Sequence, residues 1–251
     1  MKLTGNTILI TGGGTGIGLA LAEALLKKGN NVLVCGRRES KLQEARGRLP
    51  KLLTKVSDLS SEADREHLAD WAVANAVNVL VNNAGMQREV NFRKGIQPLL
   101  GGDNEIRCNL EGPVYLSALL TPHLMIQRES AIVNVSSGLG FVPLAIMPIY
   151  CATKAAIHSF SVSLRRQLAQ TAVKVFEVIP PTVDTELDRG ARARRGQKDL
   201  GIPTGQVVEE VLRGMEADRL EIPVGQAAGL MAAARGDFDQ AFNRMNGNFV
   251  F

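Results

Sequence analysis

The sequence predicts an α/β fold with one doubly wound, mostly parallel sheet of six or seven strands flanked by helices. Two observations predict it. Short β-branched segments alternate along the chain with longer segments of helical spacing, and strands such as ILIT and VLVC are apolar almost throughout. Such strands are buried on both faces, as in a parallel sheet covered by helices on both sides. No linker, repeat or low-complexity segment divides residues 1–251, so a single domain is expected.

The individual elements follow from residue spacing. Strands are predicted at 7–11, 31–35, 52–56, 78–81, 131–135 and 173–179, and a seventh at 220–224, where Pro223 restricts it to an edge of the sheet. Helices are predicted at 17–28, 40–49, 61–74, 105–127, 150–170 and 204–218, and Gly29 closes the first of them. The segment 180–203 is the least regular, and a long loop in a compact domain is usually functional.

The composition excludes several classes of protein. With 45% hydrophobic and 22% charged residues, the chain is neither disordered nor fibrous. No apolar run approaches the ~18 residues of a membrane span, and the N-terminal residues lack the features of a secretory signal, so we expect a cytoplasmic protein without a membrane partner. Five basic residues close together supply +5, so the rest of the chain has a net charge of −1 within the total of +4, and no nucleic-acid partner is expected. This basic run consists of Arg189, Arg192, Arg194, Arg195 and Lys198.

The cysteines and histidines are scattered along the chain and show no metal-ligand spacing. They are Cys35, Cys108, Cys151, His67, His123 and His158. We therefore predict reduced, structural cysteines and no metal site.

A glycine-rich turn follows the first strand. The segment TGGGTGIG at 11–18 connects that strand to the first helix, which is the context of a dinucleotide-binding turn. Without a Cβ, Gly12, Gly16 and Gly18 let the backbone turn tightly and bring the amides of the helix N-terminus close to a pyrophosphate. A plain strand-to-helix turn would need only one or two glycines. The residues assigned to the cofactor in this turn are Gly12, Gly14, Thr15, Gly16 and Ile17.

The end of the second strand indicates which dinucleotide is bound. NAD sites place an acidic residue there, about 20 positions after the glycines, to bind the ribose 2′-hydroxyl. This chain has Gly36, Arg37 and Arg38 instead. A guanidinium binds a 2′-phosphate by charge-assisted hydrogen bonds, so NADP(H) is the expected cofactor and NAD(H) the less favoured one. Arg37 is the stronger candidate of the pair, and the alternative is a solvated turn.

Two further segments at strand ends complete the expected cofactor site. In SDLS at 57–60, Asp58 and Leu59 are assigned to the adenine end, although Asp58 also suits a turn before the next helix. In NNAG at 82–85, Asn83 can lock neighbouring strand ends, while Ala84 and Gly85 let a cofactor lie against the backbone.

The expected catalytic residues lie on a helix and on the strand before it. Tyr150 and Lys154 are four residues apart, on one face of a predicted helix. A tyrosine of ordinary pKa, about 10, exchanges protons poorly at pH 7, and a neighbouring ammonium lowers that pKa. The preceding strand ends in Ser136 and Ser137, where open α/β sheets bind ligands. Ser137 can hold a substrate oxygen while Tyr150 donates the proton, a division of labour suited to hydride transfer.

These motifs as a set resemble those of the short-chain dehydrogenase/reductase family. They are TGGGTGIG (11–18), NNAG (82–85), NLEG (109–112), VSSG (135–138), YCATK (150–154) and PPTVDT (180–185). The resemblance implies a single-domain Rossmann-like fold, an NAD(P)-dependent oxidation or reduction at an alcohol or carbonyl carbon, and a homodimer or homotetramer. The segments CGRRESKLQEARGRLP and YCATKAAIHSFSVSLRRQL are similar to the DltE-like branch of these oxidoreductases.

The resemblance also implies catalytic roles. Tyr150 would be the acid/base and Ser137 the hydroxyl that orients the substrate. Lys154 would lower the pKa of the tyrosine and hold the nicotinamide ribose. Asn109 would complete a proton relay from a distortion in its helix.

The segment after the sixth strand would lie beside the nicotinamide, with Pro180, Val183 and Thr185 as its cofactor residues. Pro181 departs from the Pro-Gly that the family usually has, and it makes this turn more rigid. The loop at about 181–203 is expected to be a substrate lid, whose basic run either attracts an anionic substrate or is simply solvated.

The sequence is compatible with two functions. One is an NADP(H)-dependent oxidoreductase that acts on a carbonyl or alcohol substrate. The other is a catalytically silent NADP(H)-binding regulatory or scaffold protein of the same fold. The intact set of Asn109, Ser137, Tyr150 and Lys154 favours the enzyme, because binding alone needs no tyrosine–lysine pair.

The substrate itself is not indicated by the sequence. Leu139, Phe141, Leu144 and Leu187 are expected to form apolar walls, which suit many substrates. The C-terminal NFVF would either cap a neighbouring subunit or fold back on its own core.

Overall fold

The computed structural model describes residues 1–100, 104–187, 189–194, 196 and 201–249. The strands within these residues are β1 (Thr7–Thr11), β2 (Asn31–Gly36), β3 (Leu53–Val56), β4 (Val79–Asn82), β5 (Ser130–Val135), β6 (Val173–Ile179) and β7 (Glu221–Pro223). They form one sheet in the order β3-β2-β1-β4-β5-β6-β7, and every neighbouring pair is parallel. The α/β class and the doubly wound sheet are confirmed, and β7 lies at an edge, as its proline requires.

The helices connect these strands. They are α1 (Gly16–Lys27), α2 (Glu39–Arg48), α3 (Glu62–Ala74), α4 (Gly112–Met125), α5 (Pro148–Gln167), α6 (Arg189–Arg194), α7 (Thr204–Glu216), α8 (Ala227–Arg235) and α9 (Phe238–Asn246). Most predicted ends are right to within two residues, and the differences have local causes. Ser61 stands just outside α3 because its hydroxyl accepts a hydrogen bond from the amide of Asp64, at 3.3 Å, and so caps the helix.

Two apolar cores cover the two faces of the sheet. Successive residues of a strand point to opposite faces, so Ile8 packs in one core and Leu9 in the other. The first core includes Leu21 of α1 and Val211 of α7, and the second includes Leu68 of α3. Helices therefore lie on both sides of the sheet, as the apolar strands predict.

The strand order reverses between β1 and β4. These two strands are neighbours, while the chain continues from β1 towards β2 and from β4 towards β5 on opposite sides. The connections after β1 and β4 consequently leave the sheet in different directions, and a crevice forms at the carboxyl ends of the two strands. This crevice positions the candidate site.

The predicted helix at 105–127 is interrupted. A π-helical turn occupies Arg107–Glu111, and α4 begins only after it. Pro113 has no amide hydrogen to donate to the carbonyl of Asn109, so a regular α-helical ladder cannot continue through this point. The expected single helix is wrong here. The following predicted helix, 150–170, begins earlier, with Pro148 in its first turn.

The last third of the chain contains more structure than predicted. The segment 180–203 includes α6 and a parallel bridge between Val183 and Ile202, although it was expected to be irregular. Helices α8 and α9 were not predicted. Asp237 gives a local signal for α9, because its carboxylate accepts the amide of Gln240 at 2.9 Å. Within the described residues, no helix combines the length and apolar character needed to cross a membrane.

Candidate active site

A cavity of about 890 Å³ lies at the carboxyl ends of the central strands. Of the catalytic and cofactor-binding residues predicted from the sequence, only Asn109 lies outside its lining. Those that line it are Gly12, Gly14, Thr15, Gly16, Ile17, Arg37, Arg38, Asp58, Leu59, Asn83, Ala84, Gly85, Ser137, Tyr150, Lys154, Pro180, Val183 and Thr185. The fold thus brings together residues that are spread over most of the chain.

The glycine-rich turn fits a group that needs close contact with the backbone. Gly12 and Gly16 have φ of +64° and +56°, in the region that favours glycine. A Cβ on Gly12 would lie 2.8 Å from the Cα of Ala84, and one on Gly18 would lie 2.5 Å from Nδ2 of Asn83. The helix α1 starts at Gly16, so its free amides face the same cavity. Such a turn suits a pyrophosphate.

The segment after β4 is fastened to the glycine-rich turn. Asn83 donates through Nδ2 to the carbonyl oxygen of Thr11 at 2.9 Å. The hydroxyl of Thr11 accepts the amides of Asn83 and Ala84, each at 3.0 Å. The amide side chain therefore joins two strand ends, as the sequence predicts, and it fixes Ala84 and Gly85 at the cavity wall.

The end of β2 brings cations to the cavity. Arg37, Arg38 and Lys41 all line it, beside Gly36, and no acidic side chain stands at the position that NAD sites use. Asp58 also lines the cavity, and its Oδ1 accepts the amide and the hydroxyl of Ser60, at 2.9 and 2.8 Å. Asp58 therefore forms the turn that the sequence suggests as an alternative, while remaining at the cavity wall.

Ser137 is the second residue after β5 and is buried. Its Oγ accepts the amide of Leu139 at 3.1 Å and so begins a single 3-10 turn at Gly138–Gly140. This turn packs closely on α5, because a Cβ on Gly140 would lie 2.9 Å from the carbonyl carbon of Lys154. The hydroxyl is thereby held at a fixed place in the wall that also contains Tyr150.

Tyr150 and Lys154 lie one turn apart on α5 and are both buried. The ammonium Nζ of Lys154 is 5.6 Å from the centre of the Tyr150 ring and donates to the carbonyl oxygen of Val135 at 2.8 Å. Burial disfavours the charged form and lowers the pKa of Lys154 to about 8. The lysine can therefore change its protonation state near neutral pH, next to a phenol.

Asn109 lies behind this pair, in the π-helical turn. Its side-chain amide makes two hydrogen bonds to the backbone of Met86. Oδ1 accepts the N–H of Met86 at 2.9 Å, and Nδ2 donates to the carbonyl oxygen of Met86 at 2.8 Å. It also donates to the hydroxyl of Thr153 at 3.2 Å. Gly85 lies between Asn109 and the lysine, since a Cβ there would be 3.6 Å from both Asn109 Oδ1 and Lys154 Nζ. The distorted turn thus places Asn109 next to the catalytic candidates.

A buried series of hydrogen-bonded side chains, which sequence reasoning missed, supports Ser137. Glu177, in the middle of β6, is fully buried and accepts the hydroxyl of Ser136 at 2.5 Å. Nδ1 of His158 lies 2.8 Å from its other oxygen. The signal in the sequence is the single acidic residue in the apolar strand VKVFEVI. Because a buried carboxylate needs hydrogen-bond partners, these contacts hold Ser136, the residue next to Ser137, in place.

His158 and Glu177 also lie near Glu221, and one ligand atom from each falls within 4.8 Å of the others. A cation of the protein already pairs with Glu221, since Nη1 of Arg165 is 3.6 Å from Oε1 of that residue. These three side chains are therefore already paired with other groups of the protein in this structure.

The wider end of the cavity has apolar walls. Leu139, Leu144 and Leu187 line it, as predicted. Phe141 does not: its ring lies 4.6 Å from that of His158, so the expectation that it forms a wall is wrong. The wall that sequence reasoning missed comes from α8 and the residue before it, and from the C-terminal segment, which is α9 together with residues 247–249. It consists of Gln226, Gly229, Leu230, Arg244, Met245 and Phe249.

The C-terminal segment thus folds back over the protein's own cavity up to Phe249. Of the basic run, Arg192 is buried at the cavity wall, whereas Arg195 and Lys198 lie outside the described residues.

The three cysteines are buried and form no disulfide with one another. Burial raises the pKa of Cys35 to about 12 and that of Cys151 to about 11, so these thiols stay protonated at neutral pH.

The sequence is similar to those of known proteins. The family model for short chain dehydrogenases matches residues 6–196. The chain is 50% identical over 248 residues to the uncharacterized oxidoreductase DltE of Bacillus subtilis, with 98% of each chain covered. These likenesses confirm the resemblance to the family and to its DltE-like branch.

Solved structures agree with the fold. A short chain dehydrogenase from Burkholderia cenocepacia in complex with NADP has a TM-score of 0.82 at 26% identity, covering 98% of this chain and 99% of that one. A short chain dehydrogenase/reductase from Burkholderia phymatum in complex with NAD has a TM-score of 0.84 at 21% identity, covering 100% and 99%. The likeness to the second protein concerns the fold alone.

Proposed function

The chain belongs to the short-chain dehydrogenase family, and from that premise we propose that it is an NADP(H)-dependent oxidoreductase that interconverts a carbonyl and an alcohol. One observation carries the proposal. Ser137, Tyr150 and Lys154 line the same cavity as the glycine-rich turn, so proton donor and dinucleotide site share one space. The oxidation of NADPH in the presence of carbonyl compounds, followed by absorbance, tests it.

In this mechanism the protein positions the substrate oxygen and supplies its proton. The Ser137 hydroxyl, held by the 3-10 turn, donates a hydrogen bond to that oxygen and orients it towards Tyr150. Tyr150 then acts as general acid in reduction and as general base in oxidation. When bound, the nicotinamide supplies or accepts the hydride at the carbon atom. The apolar walls keep water from the reacting groups.

Lys154 adjusts the acidity of Tyr150. As an ammonium near the phenol, it stabilises the phenolate and lowers the pKa of the tyrosine. Because its own pKa is about 8, it loses this effect as the pH rises above that value. Asn109, fixed to the backbone of Met86, completes the relay that returns the proton from solvent.

The remaining contacts of the proposal belong to the cofactor. The glycine-rich turn holds the pyrophosphate, Asp58 and Leu59 lie at the adenine end, and Val183 and Thr185 meet the nicotinamide. The segment 181–203 acts as the substrate lid. A cytoplasmic location is part of the same proposal, because free thiols are typical of a reducing compartment.

NADP(H) is preferred over NAD(H) because Arg37 and Arg38 meet the 2′-phosphate. The 26% identical relatives from Burkholderia cenocepacia and Sphingobium yanoikuyae, in complex with NADP and NADPH, support this preference. Replacing both arginines by Ser is expected to weaken NADPH binding about 100-fold, since each removes charge-assisted hydrogen bonds. NADH binding is expected to change by less than about threefold. Fluorescence titration measures both dissociation constants, and an equal loss for the two cofactors would contradict the preference.

A homo-oligomer is proposed through the surface of α4 and α5. An apolar groove there is lined by Phe92, Ile106, Leu110, Pro148, Ile149, Ala152 and Thr153. Leu119 of α4 and Ile126 beside it are 42% and 80% exposed. Exposed apolar side chains on and beside these helices support an interface between subunits. Leu119→Glu is expected to yield a monomer in sedimentation experiments, whereas Leu53→Glu, on exposed β3, leaves the oligomer intact. A monomeric wild type would contradict the proposal.

A further inference from the structure

An ion pair links the segment after β6 to the end of β2, two parts of the chain that are 148 residues apart. Nη1 of Arg38 donates to Oε2 of Glu186 at 3.0 Å, and Nζ of Lys41 lies 3.8 Å from Oε1 of the same carboxylate. All three side chains line the candidate cofactor cavity. The pair therefore joins the proposed lid to the expected 2′-phosphate site.

The neighbours of the pair show that the segment lies against the cofactor turn. A Cβ on Gly16 would lie 3.2 Å from Cγ2 of Thr185, the residue before Glu186. Nη2 of Arg38 also reaches the hydroxyl of Thr15, at 3.4 Å. Arg38 is thus held between the glycine-rich turn and the lid.

A 2′-phosphate would need the same donors. A phosphate monoester carries about −1.5 to −2 charges at neutral pH and has three strong acceptor oxygens. Placed at Arg38 and Lys41, it would lie beside the Glu186 carboxylate, and two anions at one site repel each other. A ribose 2′-hydroxyl carries no charge and causes no such conflict. Lys41 remains a cation, because its contacts with Glu44 and, more weakly, with Glu186 raise its pKa.

We propose that Glu186 is a specificity-determining residue that competes with the 2′-phosphate for Arg38 and Lys41. It reduces the preference for NADP(H) over NAD(H), and binding of the phosphate releases the segment around Glu186 from the end of β2. The inference rests on the proposed function, in which Arg38 binds the phosphate. Cofactor choice and the position of the described residues around Glu186 are then linked through one carboxylate.

Binding titrations of the full chain test this without any turnover. Glu186→Gln keeps the size of an exposed side chain and removes its charge. Because an exposed ion pair changes an equilibrium constant by only a few-fold, NADPH is expected to bind about threefold to tenfold more tightly to this variant. NADH binding is expected to stay within about twofold. Adenosine 2′,5′-bisphosphate should gain affinity for the variant as NADPH does, whereas the affinity of adenosine 5′-diphosphate, which has no 2′-phosphate, should stay unchanged like that of NADH.

Glu39→Gln is the matched control. Glu39 is an exposed residue in the first turn of α2, and its Oε1 accepts a hydrogen bond from Nε2 of Gln43 at 3.2 Å. Among the ion pairs of the described residues, Glu39 pairs with neither Arg38 nor Lys41. If an ordinary change of net charge explains the gain, both variants will gain equally, and the inference is wrong. An unchanged NADPH affinity in Glu186→Gln would also overturn it.

Arg38→Ser separates this inference from the proposed function. It is expected to weaken NADPH binding about tenfold and to abolish the effect of Glu186→Gln in the double variant. If Arg38→Ser binds NADPH normally, the assigned role of Arg38 in the proposed function fails together with the inference. If Arg38→Ser weakens binding but Glu186→Gln has no effect, only the inference fails.

Discussion

Replacing Tyr150 by Phe is expected to lower kcat for carbonyl reduction about 1000-fold. The substitution keeps the buried ring and removes only the hydroxyl that donates the proton, and general acid catalysis is worth about 10²–10⁴ in rate. NADPH binding is expected to change by less than about threefold, because the rest of the cofactor site is untouched. Steady-state kinetics together with a binding titration separate the two effects.

The chain offers a matched control, because it contains only one other tyrosine. Tyr115 lies on α4 and is 54% exposed, away from the cavity lining. Tyr115→Phe loses the same hydroxyl and is expected to retain full activity. Normal turnover by Tyr150→Phe would show that the proton comes from another group.

Replacing Lys154 by Met is expected to lower kcat/KM at least 100-fold, since the tyrosine then loses the cation that stabilises its phenolate. In the wild type, kcat/KM for reduction is expected to fall as the pH rises through about 8, where Lys154 loses its proton. This limb reports the tyrosine–lysine pair as a unit. It should be absent from the pH profile of Lys154→Met and present in that of Lys51→Met, an exposed lysine.

Stability offers a second measurement on the same residue. The pKa of Lys154 is about 8 in the folded protein and 10.5 ordinarily, so between these values the unfolded chain binds more protons than the folded one. The free energy of unfolding of the wild type should therefore rise relative to that of Lys154→Met as the pH increases across this interval. A difference in unfolding free energy that stays constant with pH would mean that burial does not lower the pKa of Lys154.

The sheet and the dinucleotide turn could be predicted because their signals are local. Apolar β-branched runs gave the bounds of β1 and β6 to the residue. The glycine positions predicted the turn, because only glycine fits at these places. A Cβ atom on Gly12 would lie 2.8 Å from Ala84, and one on Gly18 would lie 2.5 Å from Asn83. These constraints act over a few residues and are visible in the sequence.

The remaining features depend on contacts between distant segments. Glu177 pairs with His158 and Ser136, and Glu186 pairs with Arg38, across separations that no spacing pattern encodes. The π-helical turn that carries Asn109 was expected only from the resemblance to the family, because a helical hydrophobic pattern does not show where a proline breaks the ladder. The wall formed by α8 and the C-terminal segment was also missed because it depends on contacts between distant segments. Its helices line the cavity only through their packing in the folded protein.

NADPH with two deuterium atoms at its reactive carbon, offered together with a panel of aldehydes, ketones, diketones, sugars and 3-oxoacyl compounds, shows whether a hydride passes from the cofactor to a substrate carbon. We expect at least one compound to consume the cofactor and to yield an alcohol that carries one deuterium per NADPH oxidised, with the Tyr150→Phe protein inactive beside it. Tight NADPH binding with no oxidation of the cofactor by any compound would contradict the account and favour a regulatory or scaffold protein that binds the dinucleotide without turnover.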